Sequence, residues 1–223
     1  MRSGNAIFNF KNFTKTWIFF NITNRILKTN LSKKQSENIV AGIHAFFSLF
    51  LSGTNDIKRL RWFSSAYFLH DFIQIFFSKK LNVMKLAYMY HHLSAIYLLS
   101  CDSREVPFRD MLFWGELSNL SSYPLYYLNH QNKKDRYKIR FFQILQKILY
   151  CSIRIPILTS KLLLYISEPR PKRHIAAIFP VYLMGIIWSS KILFQKPLKS
   201  PRSLQFRPVP QLDIQAFGDG EIN

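Results

Sequence analysis

The run Lys-Leu-Ala-Tyr-Met-Tyr-His-His-Leu-Ser-Ala-Ile-Tyr-Leu-Leu-Ser (85–100) decides how this chain is read. It is apolar and aromatic, and as a helix it is long enough to cross most of a bilayer. At its centre stand two adjacent histidines, His91 and His92. Ionisable groups in such a segment are costly to bury and mark a functional site by default. Working outward from them means asking which other polar groups could meet them.

Five further apolar blocks flank this one, giving 38–53, 62–78, 84–100, 108–128, 141–166 and 174–194. Each is near the length of a spanning helix. A stretch at 6–27 is aromatic but carries Lys11, Lys15 and Arg25, which suits a weak first span or an interfacial helix. It has no small-residue cleavage site and reads as retained. The expected fold is therefore all-α, a polytopic membrane bundle of six core spans plus a possible weak N-terminal one. A soluble all-helical domain is the competing class, but several blocks are apolar on every face and leave no solvated stripe. The mean hydropathy of −0.02 is low because basic connections and polar groups inside the blocks pull it down. Expected boundaries are an N-terminal segment at 1–34, a transmembrane domain at 35–195 and a disordered cytosolic tail at 196–223. The tail contains Pro197, Pro201, Pro208 and Pro210.

Net charge is +19, from 31 Lys and Arg against 12 Asp and Glu. Nucleic acid is one partner such an excess can serve. Here the basic residues sit between apolar blocks, which fits membrane topology and anionic headgroups instead. Segments 25–37, 79–85, 131–140 and 191–207 hold 17 Lys and Arg, and segments 54–61, 101–110 and 167–174 hold 8. The positive-inside rule then puts the first group and the C-terminus in the cytosol. Cys101 and Cys151 form neither a disulfide framework nor a metal-ligand spacing.

Helical spacing gathers the buried polar residues. Tyr67, Asp71 and Gln74 share a face at i, i+4 and i+7, as do Glu116, Asn119 and Tyr123. His44 and Ser48 share another. Arg154 lies mid-block, followed by Pro156, whose missing N–H permits a kink. Isolated charges are costly at low dielectric, so Arg154 is expected to pair with Asp71 or Glu116. The simplest arrangement is a central cavity lined by His91, His92, Asp71, Glu116, Asn119 and Arg154. Interhelical hydrogen bonding without chemistry would use the same residues.

The histidine pair admits three readings. Neighbours on a helix point about 100° apart and rarely share one metal ion, and the remaining histidines, His44, His70, His130 and His174, are scattered, so no metal site is expected. One imidazole could act in acid–base or nucleophilic work with Glu116 or Asp71 orienting it. Both could simply pack. The sequence alone does not separate the last two.

Five words carry a resemblance to a known family: Ile43-His44-Ala45, Ala66-Tyr67-Phe68-Leu69-His70-Asp71, Tyr90-His91-His92, Glu116-Leu117-Ser118-Asn119 and Ser152-Ile153-Arg154-Ile155. In this order on successive blocks they resemble the TLC-domain family, which includes the ceramide synthases, over roughly 35–195. The resemblance implies six core helices around a lipid-accessible cavity, in the endoplasmic reticulum or another endomembrane. It implies His91, His92 and Glu116 as catalytic candidates, and His44, Tyr67, Asp71, Asn119 and Arg154 as binding ones. It implies no resident cofactor, with acyl-CoA as co-substrate if the chain is an acyltransferase acting on a sphingoid base. Membrane lipids are the implied partners. Asn119 stands where the synthases carry a second acid, Gly115 where they carry a histidine, and Leu120 replaces a usual proline. With its short length, the chain is more similar to the small TLC-only proteins of lipid composition, trafficking and homeostasis. A secretory-pathway cargo receptor is the remaining alternative, motivated by the basic tail.

Overall fold

A computed structural model describes residues 9–78, 82–101, 108–131, 135–167, 169 and 171–194. Among them every regular element is helical: α1 Phe10–Asn30, α2 Lys33–Gly53, α3 Ile57–Phe76, α4 Val83–Ser100, α5 Phe108–Asn119, α6 Ser122–Asn129, α7 Arg136–Leu149, a π turn Tyr150–Arg154, α8 Pro156–Ile166 and α9 Lys172–Leu193. α5 and α6 make one broken rod, and α7, the π turn and α8 make another. Each apolar block of the sequence coincides with one rod. The tail expected to be disordered lies outside the described residues, as do residues 1–8.

Local chemistry explains where the rods start. Asn9, Asp56, Asn82 and Asp135 each accept the N–H of the residue three positions on, at 2.9–3.1 Å. Ser32 and Gln35 form a capping box at the head of α2. Such caps contribute about 1 kcal/mol each by satisfying N–H groups a first turn leaves open.

Two interruptions shape the interior. Block 108–128 is expected as one helix, but it breaks at Leu120 and Ser121. The reason is Pro124: in an unbroken helix its ring would strike the carbonyl of Leu120, whereas a proline in a first turn is harmless. Ahead of Pro156 the backbone widens instead into the π turn, with Ile155 N–H reaching Tyr150 O at 3.4 Å.

The rods run alternately up and down. At one end Lys28 of α1 meets Gln74 of α3, and Gln35 of α2 meets the His130 carbonyl after α6. At the other, Arg61 donates to the Cys101 carbonyl, Arg109 to Asn55, and Lys161 to Asp110. α3 packs on both α1 and α4, α2 on α5, and α4 on α9. The 6–27 stretch is no loose appendage: Phe20 is fully buried against Phe63 and Tyr67, both at 5.4 Å between ring centroids. Asn24, also buried, accepts the Ser36 hydroxyl at 2.7 Å.

The core is mixed rather than oily. Phe20, Val40, Leu60, Phe68, Ala95 and Leu99 form one apolar cluster. Ser36, Ser48, Ser64, Ser118, Ser121 and Ser189 are as deeply buried as these. Large apolar side chains face outward in return, among them Ile18, Ile22 and Ile26 on α1, Phe46 and Phe50 on α2, and Phe141, Ile144 and Ile148 on α7. Two rods, Arg136–Ile166 and Lys172–Leu193, are long and apolar enough to cross a membrane.

Candidate functional site

A cavity of about 390 Å³ opens between the rods. The one-face spacing of Tyr67, Asp71 and Gln74 on α3 brings all three to its wall, opposite His91 and His92 of α4. α2 contributes His44, α5 contributes Glu116 and Asn119, and Tyr123 comes from α6. Phe68, Met84, Tyr88, Leu125 and Trp188 supply apolar and aromatic surface between these groups.

His92 is 5% exposed, and its Nε2 lies 2.7 Å from Asp71 Oδ2. The two meet at ion-pair distance but without the alignment of a straight hydrogen bond. Its other nitrogen, Nδ1, is buried and has no partner, and the same holds for Nδ1 of His91. The two rings sit 5.4 Å apart with planes 74° from one another, so they address different parts of the space. Among the described residues no three His, Cys, Asp or Glu side chains gather as a metal ligand set.

His44 lies flat on Tyr67, with centroids 3.9 Å apart. Its Nε2 meets Ser48 Oγ at 2.9 Å, and Ser48 meets Ser64 Oγ at 3.0 Å. Its Nδ1 is 3.7 Å from Glu116 Oε1. The order Ser-His-Glu suggests a nucleophile relay, but Ser48 and Ser64 are wholly buried and off the cavity wall. They hold the His44 ring in place. Glu116 also accepts the Tyr123 hydroxyl at 3.4 Å, so these two meet in space although the helix between them is broken.

Arg154 corrects the expected ion pairing. It contacts neither Asp71 nor Glu116 and stands behind the wall rather than on it. Its Nε donates to Ser118 Oγ at 2.7 Å, and its Nη2 to Asn119 Oδ1 at 2.7 Å and to Gly115 O at 3.5 Å. The guanidinium lies 4.7 Å from the Tyr150 ring centre. The cause is the unforeseen end of α5: a helix C-terminus there offers oxygen atoms and a negative dipole end to a cation. The π turn carries Arg154 toward it, and Gly185 of α9 leaves room, since a Cβ there would sit 3.2 Å from Nη1. Asn119, where a second acid was looked for, accepts from both Arg154 and Tyr150, the latter at 2.6 Å.

Sequence reasoning missed Tyr150, although it precedes Arg154 by four residues and so shares its face. It also left His174 isolated. The structure puts its Nδ1 3.1 Å from Tyr165 Oη and its Nε2 3.6 Å from Cys101 Sγ, at the end of the bundle away from the cavity mouth.

Compared with models of protein families, with curated proteins and with solved structures, the chain finds no match.

Proposed function

We propose that this chain is a multi-pass membrane protein of TLC type that holds a membrane lipid in its central cavity and serves lipid composition or homeostasis. One observation carries the reading. A cavity that carries His, Asp, Glu and Tyr side chains on an otherwise largely apolar wall sits inside a bundle whose outer surface is studded with Phe, Ile and Leu on α1, α2, α7 and α9. Soluble monomers rarely leave so much large apolar surface exposed, whereas spans in lipid put polar groups inward and apolar ones outward. Four of the five family-like words contribute residues to the wall of that cavity, and Arg154 of the fifth braces it from behind. By the charge asymmetry the mouth faces the cytosol, and the resemblance to TLC-domain proteins implies one of the endomembranes.

The reading is tested by crosslinking. Full-length protein in cells is supplied with a diazirine-bearing fatty acid, irradiated, digested and mapped by mass spectrometry. Adducts on Met84 and Trp188 are expected, because both line the cavity. Adducts restricted to outward residues such as Leu86 and Leu183 would count against it.

A second reading, group transfer, is favoured by the Asp71–His92 pair. A carboxylate 2.7 Å from one imidazole nitrogen can stabilise the charged ring when the other nitrogen takes up a proton as general base. With acyl-CoA and a sphingoid base, His92 Nδ1 would take the amine proton as the N–C bond forms. It would return that proton to the thiolate as the C–S bond breaks. Purified protein with both substrates should then yield labelled amide that disappears in His92→Ala. Amide yield unaffected by that change, or none from the unaltered protein, would remove this reading.

A further inference from the structure

A lipid that reaches an interior cavity from the bilayer must pass between two rods, because its chains stay out of water. The seam between α4 and α9 carries two features suited to that passage. The first lies within α9, which holds Pro180 inside continuous helix. Proline has no N–H, so the Ala176 carbonyl loses its helical donor at that turn. The Tyr90 hydroxyl of α4 takes the donor's place, at 3.0 Å from Ala176 O. Tyr90 is 46% exposed and Ala176 is exposed, so this bond sits on the outer face of the bundle. In hydrocarbon no water stands ready to satisfy that carbonyl, which gives the hydroxyl its task.

Pro180 also divides α9 into halves with different attachments. Before it, Ala177 and Ile178 pack in an apolar cluster with Leu98, Leu162 and Tyr165, and His174 is buried beside the Tyr165 hydroxyl. Beyond it, Trp188 and Ile192 stand on the cavity wall. This second half meets Arg154 through Gly185, which has no side chain to unthread. The second feature is level with the cavity. Tyr88 of α4, also on the wall, stacks on Trp188 with centroids 5.0 Å apart and planes at 30°. Dispersion and ring quadrupoles hold such a stack, with no directional bond to break when the rods part.

We infer that the α4–α9 seam is the entrance through which lipid passes between bilayer and cavity. α9 bends at Pro180, Trp188 parts from Tyr88, and the bond from Tyr90 to Ala176 O holds the closed position. This rests on the lipid-holding reading above and names its route. A sharp bend in a helix needs a break in the hydrogen-bond ladder, and proline supplies one. Tyr90 precedes the histidine pair in the chain yet stands outside the cavity wall, so its part is to latch the rods and not to touch the ligand.

The test follows entry in time. A diazirine-bearing palmitic acid is added to the full chain in phosphatidylcholine nanodiscs, samples are flashed at intervals, and adducts are quantified on Met84 in the cavity and on Leu86 outside it. Pro180→Ala gives Ala176 O its own helical donor and should slow labelling of Met84 several-fold, at a melting temperature no lower than before. Tyr90→Phe should speed that labelling in the unaltered protein and change nothing on top of Pro180→Ala, where the carbonyl no longer needs the hydroxyl. In a protein with Cys101 and Cys151 replaced by Ser, Tyr88→Cys and Trp188→Cys bridged by a bismaleimide should stop labelling of Met84 and leave Leu86 labelled. The same protein without the bridge should label Met84 at least as fast as the unaltered one. Undiminished Met84 labelling under the bridge would overturn the entrance. An unchanged rate in Pro180→Ala, or an equal effect of Tyr90→Phe in both backgrounds, would overturn the hinge and its latch. No Met84 adduct at any time in the unaltered protein would overturn the lipid-holding reading and the entrance with it.

Discussion

Replacing Arg154 by Leu removes a buried fork without stranding a carboxylate, and that distinction sets the size of the effect. Two bonds at 2.7 Å disappear, to Ser118 and to Asn119. Each charge-assisted bond contributes about 1.5–3 kcal/mol. Both acceptors keep another partner, because Ser118 still donates to Gly115 O at 2.6 Å and Asn119 still accepts from Tyr150. The low end of that range therefore applies, or about 3 kcal/mol for the pair. Loss of the contact with the Tyr150 ring adds about 0.5–2 kcal/mol. Relief of guanidinium desolvation and the apolar fill of Leu offset part of the sum. The net expectation is a loss of about 2–3 kcal/mol, against the 3–5 kcal/mol that a stranded buried charge would give. For a chain of this size that is a fall in melting temperature of about 4–12 °C, read by intrinsic tryptophan fluorescence in a mild detergent. Double-mutant cycles locate the partner. Arg154→Leu should couple with Asn119→Leu by about 0.5–3 kcal/mol and show no coupling with Asp71→Asn. Recovery of stability when Asp71→Asn or Glu116→Gln is added would show that a carboxylate had been stranded and that the hydrogen-bond assignment is wrong.

Three more outcomes follow from the packing. Gly185→Ala should lower the melting temperature, because its Cβ would press on Arg154 Nη1 at 3.2 Å, whereas Gly115→Ala has open space and should be neutral or stabilising by up to about 1 kcal/mol; equal effects of the two would contradict the placement of the guanidinium. Phe20→Ala should cost about 3–5 kcal/mol by cavity formation between α1 and α3, and a negligible shift in the melting midpoint would mean that α1 does not belong to the bundle. Ser48→Ala should cost about 1–3 kcal/mol by leaving His44 Nε2 without its bond, with bound lipid unchanged; abolished lipid retention would give Ser48 a direct role it lacks in the structure.

Much of the architecture was legible because apolar blocks of spanning length leave little freedom: 84–100 and 174–194 became α4 and α9 almost residue for residue. The polar wall was legible for a different reason. Asp71 must follow Tyr67 by one helical turn, and His92 must share the interior with them if the outer face is apolar. What could not be read depended on breaks in periodicity. Pro124 ended α5 early and created the helix terminus that captures Arg154. The π turn shifted the register of everything before Pro156. Pairing between groups far apart in the chain, such as His44 with Glu116 or Asp71 with His92, is set by how rods tilt and rotate. No local pattern encodes that. The place of α1 was obscured by its own lysines, since the residues that fix it, Phe20 and Asn24, bury one aromatic ring and one amide rather than an apolar stripe.

The most direct measurement is native mass spectrometry of the protein taken from its own membrane, unaltered and with Ala41→Trp, a substitution that fills the cavity from α2. One lipid per chain should survive stepwise removal of detergent and annular lipid in the unaltered protein, and none should survive in Ala41→Trp at an unchanged melting temperature. Equal lipid retention by the two proteins, or none in either, would contradict a cavity built to hold lipid.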